Sequence, residues 1–141
     1  MRILIAIDGS ELSRHAVEYV IKHKHTLALG AEISCVFIEA PPVLRAVGAF
    51  GADPGMPPLP AINPSELVAP HMEALKAAGF MPTLQVREGD PGVEIAQAAV
   101  EGHFDLIVMG THGRRLLTRA LLGSVANKVL ASASVPVLLV R

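Results

Sequence analysis

Apolar residues are concentrated in five short runs, and the segments between them carry apolar residues at the three- and four-residue spacing of helices. Because the first, fourth and fifth runs are apolar at nearly every position, we expect strands that are covered by helices on both faces. Strands that alternate with amphipathic helices are typical of βαβ units, so the sequence predicts an α/β fold with a parallel sheet. The predicted strands cover residues 3–7, 33–38, 82–86, 106–109 and 136–140.

The first two helices are predicted from their N-terminal residues and their apolar stripes. Ser10 has a side chain that commonly caps a helix N-terminus, and we expect that helix to end near Gly30. Its inward residues are predicted to be Leu12, Ala16, Val17, Val20 and Ile21. The second helix is expected to start at Asn63 and Pro64, with Pro70 either kinking it or delaying its regular start. Its inward residues are predicted to be Leu67, Val68, Met72 and Leu75.

Two further helices are predicted after the third and fourth strands. Asp90 and Pro91 form an N-cap followed by a first-turn proline, and Gly123 with Ser124 marks the start of the last helix. The third helix is expected to bury Val93, Ala96 and Val100. The fourth is expected to bury Val125, Val129, Leu130 and Ala133.

The segment from Glu39 to Asn63 interrupts this alternation, because it is rich in proline, glycine and alanine and has no clear periodicity. A connection of this length is usually either functional or mobile. It contains Phe50 and Met56, so closure over a ligand and plain disorder remain two interpretations of this segment.

Length and composition fit a single domain over residues 1–141, since 51% of the residues are hydrophobic and 18% are charged. The formal net charge of -1, from 12 basic and 13 acidic residues, argues against nucleic acid as a principal partner. The one cysteine, Cys35, lies inside an apolar run, which is typical of a reducing cytoplasm. No run approaches the roughly 18 apolar residues of a membrane span, so we expect a cytoplasmic protein with no membrane partner.

Candidate chemistry is concentrated after the predicted fourth strand. Gly110 and Gly113 follow that strand, and Gly123 and Ser124 precede the last helix. Glycines let backbone N–H groups approach an anion without obstruction by a Cβ, and a helix N-terminus favours phosphate oxygens. The alternative is that these glycines only make tight turns and that Ser124 only caps its helix.

The spacing of Gly110, two residues, Gly113, nine residues and Gly123-Ser124 resembles the ATP-binding signature of the universal stress protein family. Residues 3–10 resemble the opening strand and turn of that family, and the resemblance covers essentially the whole chain. It implies a doubly wound, Rossmann-like five-stranded parallel sheet of order 3-2-1-4-5 with helices on both faces. It also implies a stress-response homodimer that binds ATP, alone or with Mg²⁺, as a regulatory ligand.

The same resemblance implies the residues of the nucleotide site. On the nucleoside side it implies contacts from Ala6, Ile7, Asp8 and Phe37. On the ribose and phosphate side it implies contacts from Met109, Gly110, Gly113, Gly123, Ser124 and Val125. His112 lies between the first two glycines, where its imidazole would donate to a phosphate or point to water. Ala126 stands where some ATP-binding members have a hydroxyl residue, and Asp8 has the alternative role of ordering the turn that follows it.

Other nucleotide and catalytic sites lack their sequence requirements. Neither Gly110 nor Gly123 is followed by the Gly-Lys-Ser/Thr of a P-loop, and the turn at Asp8 has one glycine where a dinucleotide fold has three. His23 and His25 are two apart on a predicted helix and so face different directions, which argues against a metal site. We find no catalytic constellation, so any ATP hydrolysis is expected to be slow.

The final strand suggests how two copies of the chain would associate. Residues 136–140 carry no charge before Arg141, and an uncovered edge strand of this kind invites pairing. We therefore expect a homodimer through this strand, as the resemblance also implies. Two rival functions remain: an interaction protein of the same fold that does not use nucleotide, and a slow nucleotide hydrolase acting through Asp8 and His112.

Overall fold

A computed structural model of the chain describes residues 1–39, 63–111 and 122–141. The strands in these ranges are β1 (Arg2–Ala6), β2 (Glu32–Glu39), β3 (Thr83–Glu88), β4 (Leu106–Gly110) and β5 (Val137–Val140). The helices are α1 (Glu11–Lys22), α2 (Pro64–Ala77), α3 (Pro91–Glu101) and α4 (Ser124–Ser132). The candidate ligand-closing residues Phe50 and Met56 and the candidate site residues His112 and Gly113 lie outside the described residues.

The strands form one parallel sheet in the order β3-β2-β1-β4-β5, which confirms the predicted order. Ile5 of β1 lies opposite Cys35 of β2 and Val108 of β4. The chain builds the sheet outward from β1 to β3 and then returns to the other side of β1 with β4 and β5. Ligands of such sheets bind outside the carboxyl ends of the strands, where the order reverses.

The two-residue period of the strands divides their side chains between two apolar cores. On one face, Ile5 and Phe37 pack with Val17 of α1 and Leu75 of α2. On the other face, the strand residues pack with α3 and α4, and they include Leu4, Ala6, Val36, Ile107 and Met109. Helices therefore cover both faces of the sheet, as predicted.

The structure corrects the predicted end of α1 and the predicted start of α2. α1 ends at Lys22, with His23 as its C-cap, so the expectation that it continues to near Gly30 is wrong. After the helix the chain forms a turn, in which Leu27 N–H bonds the carbonyl of His23. Ala28, at the end of this turn, is buried. α2 is regular from Pro64 and contains Pro70, so a delayed start is wrong.

The predicted inward faces of α3 and α4 are also partly wrong. Val93 and Val100 are 46% and 54% exposed, and Leu130 of α4 is 44% exposed. The core face of α3 is formed by small residues and one isoleucine: Gly92, Ile95, Ala96, Ala98 and Ala99. Close packing explains this choice, because a Cβ on Gly92 would lie 2.6 Å from Cβ of Lys128 on α4.

β5 lies at the edge of the sheet. It pairs only with β4 within the described residues, and Val137, Leu138 and Leu139 are half-buried. Leu138 and Val140 pack against one core and Val137 and Leu139 against the other, so both faces of this edge strand are covered, as predicted. In the described part of the chain, the helices are too short or too polar for any of them to cross a bilayer.

Candidate functional site

A cavity of about 400 Å³ opens beside the carboxyl ends of β1 and β4, within the range of small-molecule sites. Most of the predicted site residues lie in its wall: Ala6, Ile7, Asp8, Met109, Gly110, Gly123, Ser124 and Val125. The structure therefore brings together residues that are more than 100 positions apart in the sequence. His112 and Gly113, which belong to the same prediction, lie outside the described residues.

Phe37 is the predicted site residue that the structure places elsewhere. Its side chain is 3% exposed and lies in the core between the sheet and α1 and α2, on the face away from the cavity. Its neighbours Val36 and Ile38 line the cavity instead. The correction follows from strand geometry, because successive side chains point to opposite faces and a shift of one residue exchanges them.

Six wall residues were absent from the prediction: Ser13, Val36, Ile38, Pro91, Ile95 and Ala126. Two sequence signals could have found part of this set. The alternation of β2 places Val36 and Ile38 together once either is assigned to the cavity. Pro91 begins a helix directly after β3, and helix N-termini collect at the same edge of the sheet as the strand carboxyl ends.

The β1 end of the cavity is a turn fixed by internal contacts. Asp8 Oδ1 accepts a hydrogen bond from Ser10 N–H at 2.9 Å, and Gly9 adopts a φ of 77°. The Leu67 side chain from α2 packs over this glycine, so that a Cβ on Gly9 would lie 2.4 Å from Leu67 Cγ. Asp8 therefore does order its turn, and within the described residues its second carboxylate oxygen has no hydrogen-bond partner and is available to a ligand.

The α4 end of the cavity is organised by the backbone. Gly123 N–H donates to the carbonyl of Thr111 at 2.9 Å, which joins the end of β4 to the start of α4. That hydrogen bond makes the Gly123 amide unavailable to an anion. The N–H groups of Ser124, Val125 and Ala126 belong to the first helical turn and have no intrahelical acceptor, and no side chain at Gly123 caps them.

Gly110 has a packing role that the sequence pattern does not reveal. A Cβ at this position would lie 2.8 Å from Cβ of Leu12 and 3.0 Å from its backbone carbonyl. The missing side chain therefore lets α1 approach β4. The identity of this glycine is explained by the helix contact, whether or not a phosphate lies near its backbone.

The described wall of the cavity carries few charges. Asp8 is the one charged residue among the described lining residues, and the apolar part of the wall includes Ile38, Ile95 and Met109. At the edge of the wall, Asp90 caps α3 and accepts a 2.8 Å hydrogen bond from Lys128 Nζ. That hydrogen bond lowers the pKa of Asp90. The described lining residues include no cation, and the first turn of α4 contributes Ser124, Val125 and Ala126 to the wall.

The sequence profile of the universal stress protein family matches residues 1–141. The chain belongs to the universal stress protein family. Universal stress protein MJ0531 of Methanocaldococcus jannaschii is 34% identical to this universal stress protein over 152 aligned residues. That alignment covers 99% of this chain and 81% of the relative.

Two solved structures show how closely this universal stress protein follows the family fold. Hypothetical protein MJ0577 of Methanocaldococcus jannaschii has a TM-score of 0.74 at 26% identity, with 99% of this chain and 94% of the other covered. A universal stress protein from Archaeoglobus fulgidus, solved in complex with dAMP, has a TM-score of 0.66 at 17% identity. That comparison covers 100% of this chain and 98% of the other, and at this identity it establishes a shared fold.

Proposed function

We propose that this universal stress protein binds an adenine nucleotide, ATP, in the cavity beside β1 and β4. The observation that carries the proposal is the combination of an apolar wall with the N–H groups of the first turn of α4, which have no partner among the described residues. The apolar wall suits a purine ring, and the amides and the positive end of the helix dipole suit phosphate oxygens. The dAMP complex of the Archaeoglobus fulgidus protein supports an adenine nucleotide as the ligand class.

The proposed contacts follow the two ends of the cavity. Asp8, with Ala6 and Ile7, would border the nucleoside, and Met109 and Gly110 would meet the ribose and the first phosphates. Ser124 and Val125, with His112 and Gly113, would hold the other phosphates. Mg²⁺ would accompany ATP there. The Gly123 amide is excluded from this set because it bonds Thr111.

The nucleotide would regulate a cytoplasmic homodimer in which each copy is one domain over residues 1–141. The half-buried apolar residues of the β5 edge support association through this strand. Sedimentation at micromolar concentration tests the dimer, and a monomer would contradict it. Slow hydrolysis at most is expected, because phosphate binding by amides does not position an attacking water.

The nucleotide proposal is tested by removing one amide of α4 without removing the helix. Ser124→Pro replaces the first helical residue by one that fits this position and lacks the N–H group. Gly123 has the extended backbone, φ -62° and ψ 154°, that a following proline requires. Ser124→Ala is the matched control, since it removes the hydroxyl and keeps the amide.

Calorimetric titration of ATP into nucleotide-free protein measures the outcome. A hydrogen bond to a charged phosphate contributes about 1.5–3 kcal/mol, so Ser124→Pro should weaken ATP binding about ten- to a hundredfold relative to Ser124→Ala. Equal affinities of the two variants would remove α4 from the site. No ATP binding by the wild type at millimolar concentration would overturn the proposal.

An interaction protein that uses no nucleotide is the second candidate. The packing of Gly110 against Leu12 favours it, because one glycine of the signature is explained without a phosphate. Mass spectrometry of acid extracts distinguishes the candidates: near-stoichiometric adenine nucleotide in purified protein supports the first, and empty protein that ignores added ATP supports the second.

A further inference from the structure

Ser13 and His71 form a buried polar pair behind the cavity wall. Ser13 lines the cavity from the first turn of α1, and its side chain is almost fully buried. Its Oγ lies 3.1 Å from Nε2 of His71, which α2 contributes from 58 positions away in the sequence. Buried polar pairs of this kind cost free energy unless each partner is satisfied, so the pair needs an account beyond packing.

The hydrogen bonds of the pair define which atom is the donor. The Ser13 hydroxyl donates its one proton to the carbonyl of Ser10 at 2.9 Å. His71 Nε2 must then carry the proton in the contact with Ser13. The other ring nitrogen, Nδ1, is buried and carries no proton in the neutral ring when Nε2 donates to Ser13.

Ser13 is a lining residue of the cavity, and its Oγ keeps acceptor capacity that these two contacts do not use. Its proton is directed to Ser10, one lone pair accepts from His71, and the second lone pair remains. Asp8, in the same wall, also presents an acceptor, because only one of its carboxylate oxygens bonds Ser10. Two acceptors in one part of the wall match a ligand group that offers N–H or O–H donors.

Burial of His71 keeps the pair in this state near neutral pH. Burial lowers the pKa of His71 below its ordinary value of 6.5. The charge of Asp8 and a hydrogen bond to the backbone carbonyl of Leu67 oppose the shift, and the charge of Arg14 reinforces it. The imidazole is therefore neutral at pH 7. A neutral imidazole with one N–H group holds the hydroxyl of Ser13 in a single orientation.

We propose that Ser13 is a specificity-determining residue that accepts a hydrogen bond from a donor group of the nucleotide, and that His71 is its positioning residue. The inference rests on the proposed nucleotide function and adds a residue pair to it. Two parts of an adenine nucleotide carry suitable donors: the exocyclic 6-amino group of the base and the hydroxyls of the ribose. Both present the same chemistry to the Ser13 acceptor.

Nucleotide analogues separate these two sources. ATP, purine riboside triphosphate without the 6-amino group, 2′-deoxyATP and 3′-deoxyATP are titrated calorimetrically into the wild type and Ser13→Ala. Loss of one neutral hydrogen bond changes affinity about two- to tenfold, so Ser13→Ala should bind ATP that much more weakly. Ser13→Ala and the wild type should bind with equal affinity the one analogue that lacks the donor group. That analogue shows whether the donor belongs to the base or to the ribose.

A matched control guards against a general effect of removing a buried hydroxyl. Ser34→Ala also removes a buried serine hydroxyl, one that accepts from Thr83 and Gln85 and does not line the cavity. Its affinity ratios among the four nucleotides should equal those of the wild type. Thermal unfolding of both variants verifies that they are folded at the temperature of the titration.

Variants of His71 test the positioning role. His71→Leu removes the donor to Ser13 and should reduce the discrimination between ATP and the identified analogue. His71→Gln retains a side-chain N–H donor and should restore the wild-type ratio, which a merely structural role would not do. The inference would be overturned if Ser13→Ala bound the four nucleotides with the same affinity ratios as the wild type. That includes the case in which all four affinities fall by the same factor while ATP still binds.

Discussion

The two turns that border the cavity are built in opposite ways. After β1, side chains fix the backbone: Asp8 bonds the amide of Ser10, Leu67 packs over Gly9, and Ser13 bonds His71. After β4, the junction depends on a backbone hydrogen bond, and the first turn of α4 has no side-chain cap. The backbone of the first turn is held by contacts within the protein. The second leaves donors that a ligand can satisfy, so we expect the two turns to respond differently to mutation and to ligand.

The largest expected effect comes from breaking the first turn at Gly9. Gly9→Ala places a Cβ against Leu67 at a positive φ, and the clash and the strained backbone together should cost about 2–4 kcal/mol of unfolding free energy. Gly30→Ala is the matched control, because Gly30 also has a positive φ, of 65°, but open space around it. It should cost only about 1–2 kcal/mol.

Urea unfolding of both variants measures this difference. If Gly9→Ala and Gly30→Ala lose the same stability, Leu67 moves aside without cost, and the first turn is not held by α2.

A smaller effect is expected from the protonation of His71 beside that turn. Its pKa is lowered in the folded state, mainly by burial, so the unfolded chain binds the proton more readily. The contribution of the neutral imidazole of His71 to the free energy of unfolding is complete above about pH 6.5. It is lost as the pH falls from there through the lower pKa of His71 in the folded state. His71→Gln should show a shallower loss of stability between pH 7.5 and pH 5.

His25→Gln is the control for this measurement, since it also replaces a histidine by glutamine but at an exposed position. Parallel curves for the wild type and His71→Gln would mean that the imidazole titrates equally in both states of the chain.

The smallest effect on stability is expected from completing the second turn. Gly123 has an ordinary N-cap backbone, so Gly123→Ser should gain a few tenths of a kcal/mol by supplying the missing cap. The serine oxygen would compete for the same amides as a phosphate, so the affinity for ATP should fall as stability rises. Ser10→Gly removes the existing cap of α1 and should lower stability by a similar amount.

Thermal unfolding with and without ATP follows both quantities. A rise in stability accompanied by unchanged or tighter ATP binding would show that the amides of α4 do not hold the phosphates.

The fold followed from the sequence more fully than the site did. Alternating apolar strands and amphipathic helices predicted the α/β architecture, and the family resemblance supplied the strand order. The pattern failed on α3, where the larger apolar residues are not the buried ones. Alanines form the core face of this helix, whereas Val93 and Val100 are exposed. A pattern of apolar residues does not contain the distance between two helices, which decides whether small or large side chains fit.

The site shows the same limit at the level of single residues. The family resemblance implied a nucleoside contact from Phe37, and the strand pattern, which is apolar on both faces, did not reveal that this side chain takes the other face. Ser13 and His71 were missed because their contact joins two helices far apart in the sequence. Gly110 was predicted as a ribose and phosphate contact; it lies in the cavity wall, but the contact that requires a glycine is with Leu12.

The hydrogen bond between Gly123 and Thr111 has a consequence for how this protein can vary among relatives. It fixes the two ends of the chain between β4 and α4 at one separation, independent of what lies between them. Doubling the length of a closed segment costs only about 0.6 kcal/mol of chain entropy. Insertions or deletions there that leave His112 and Gly113 in place should therefore cost little stability, and the start of α4 keeps its place beside β4.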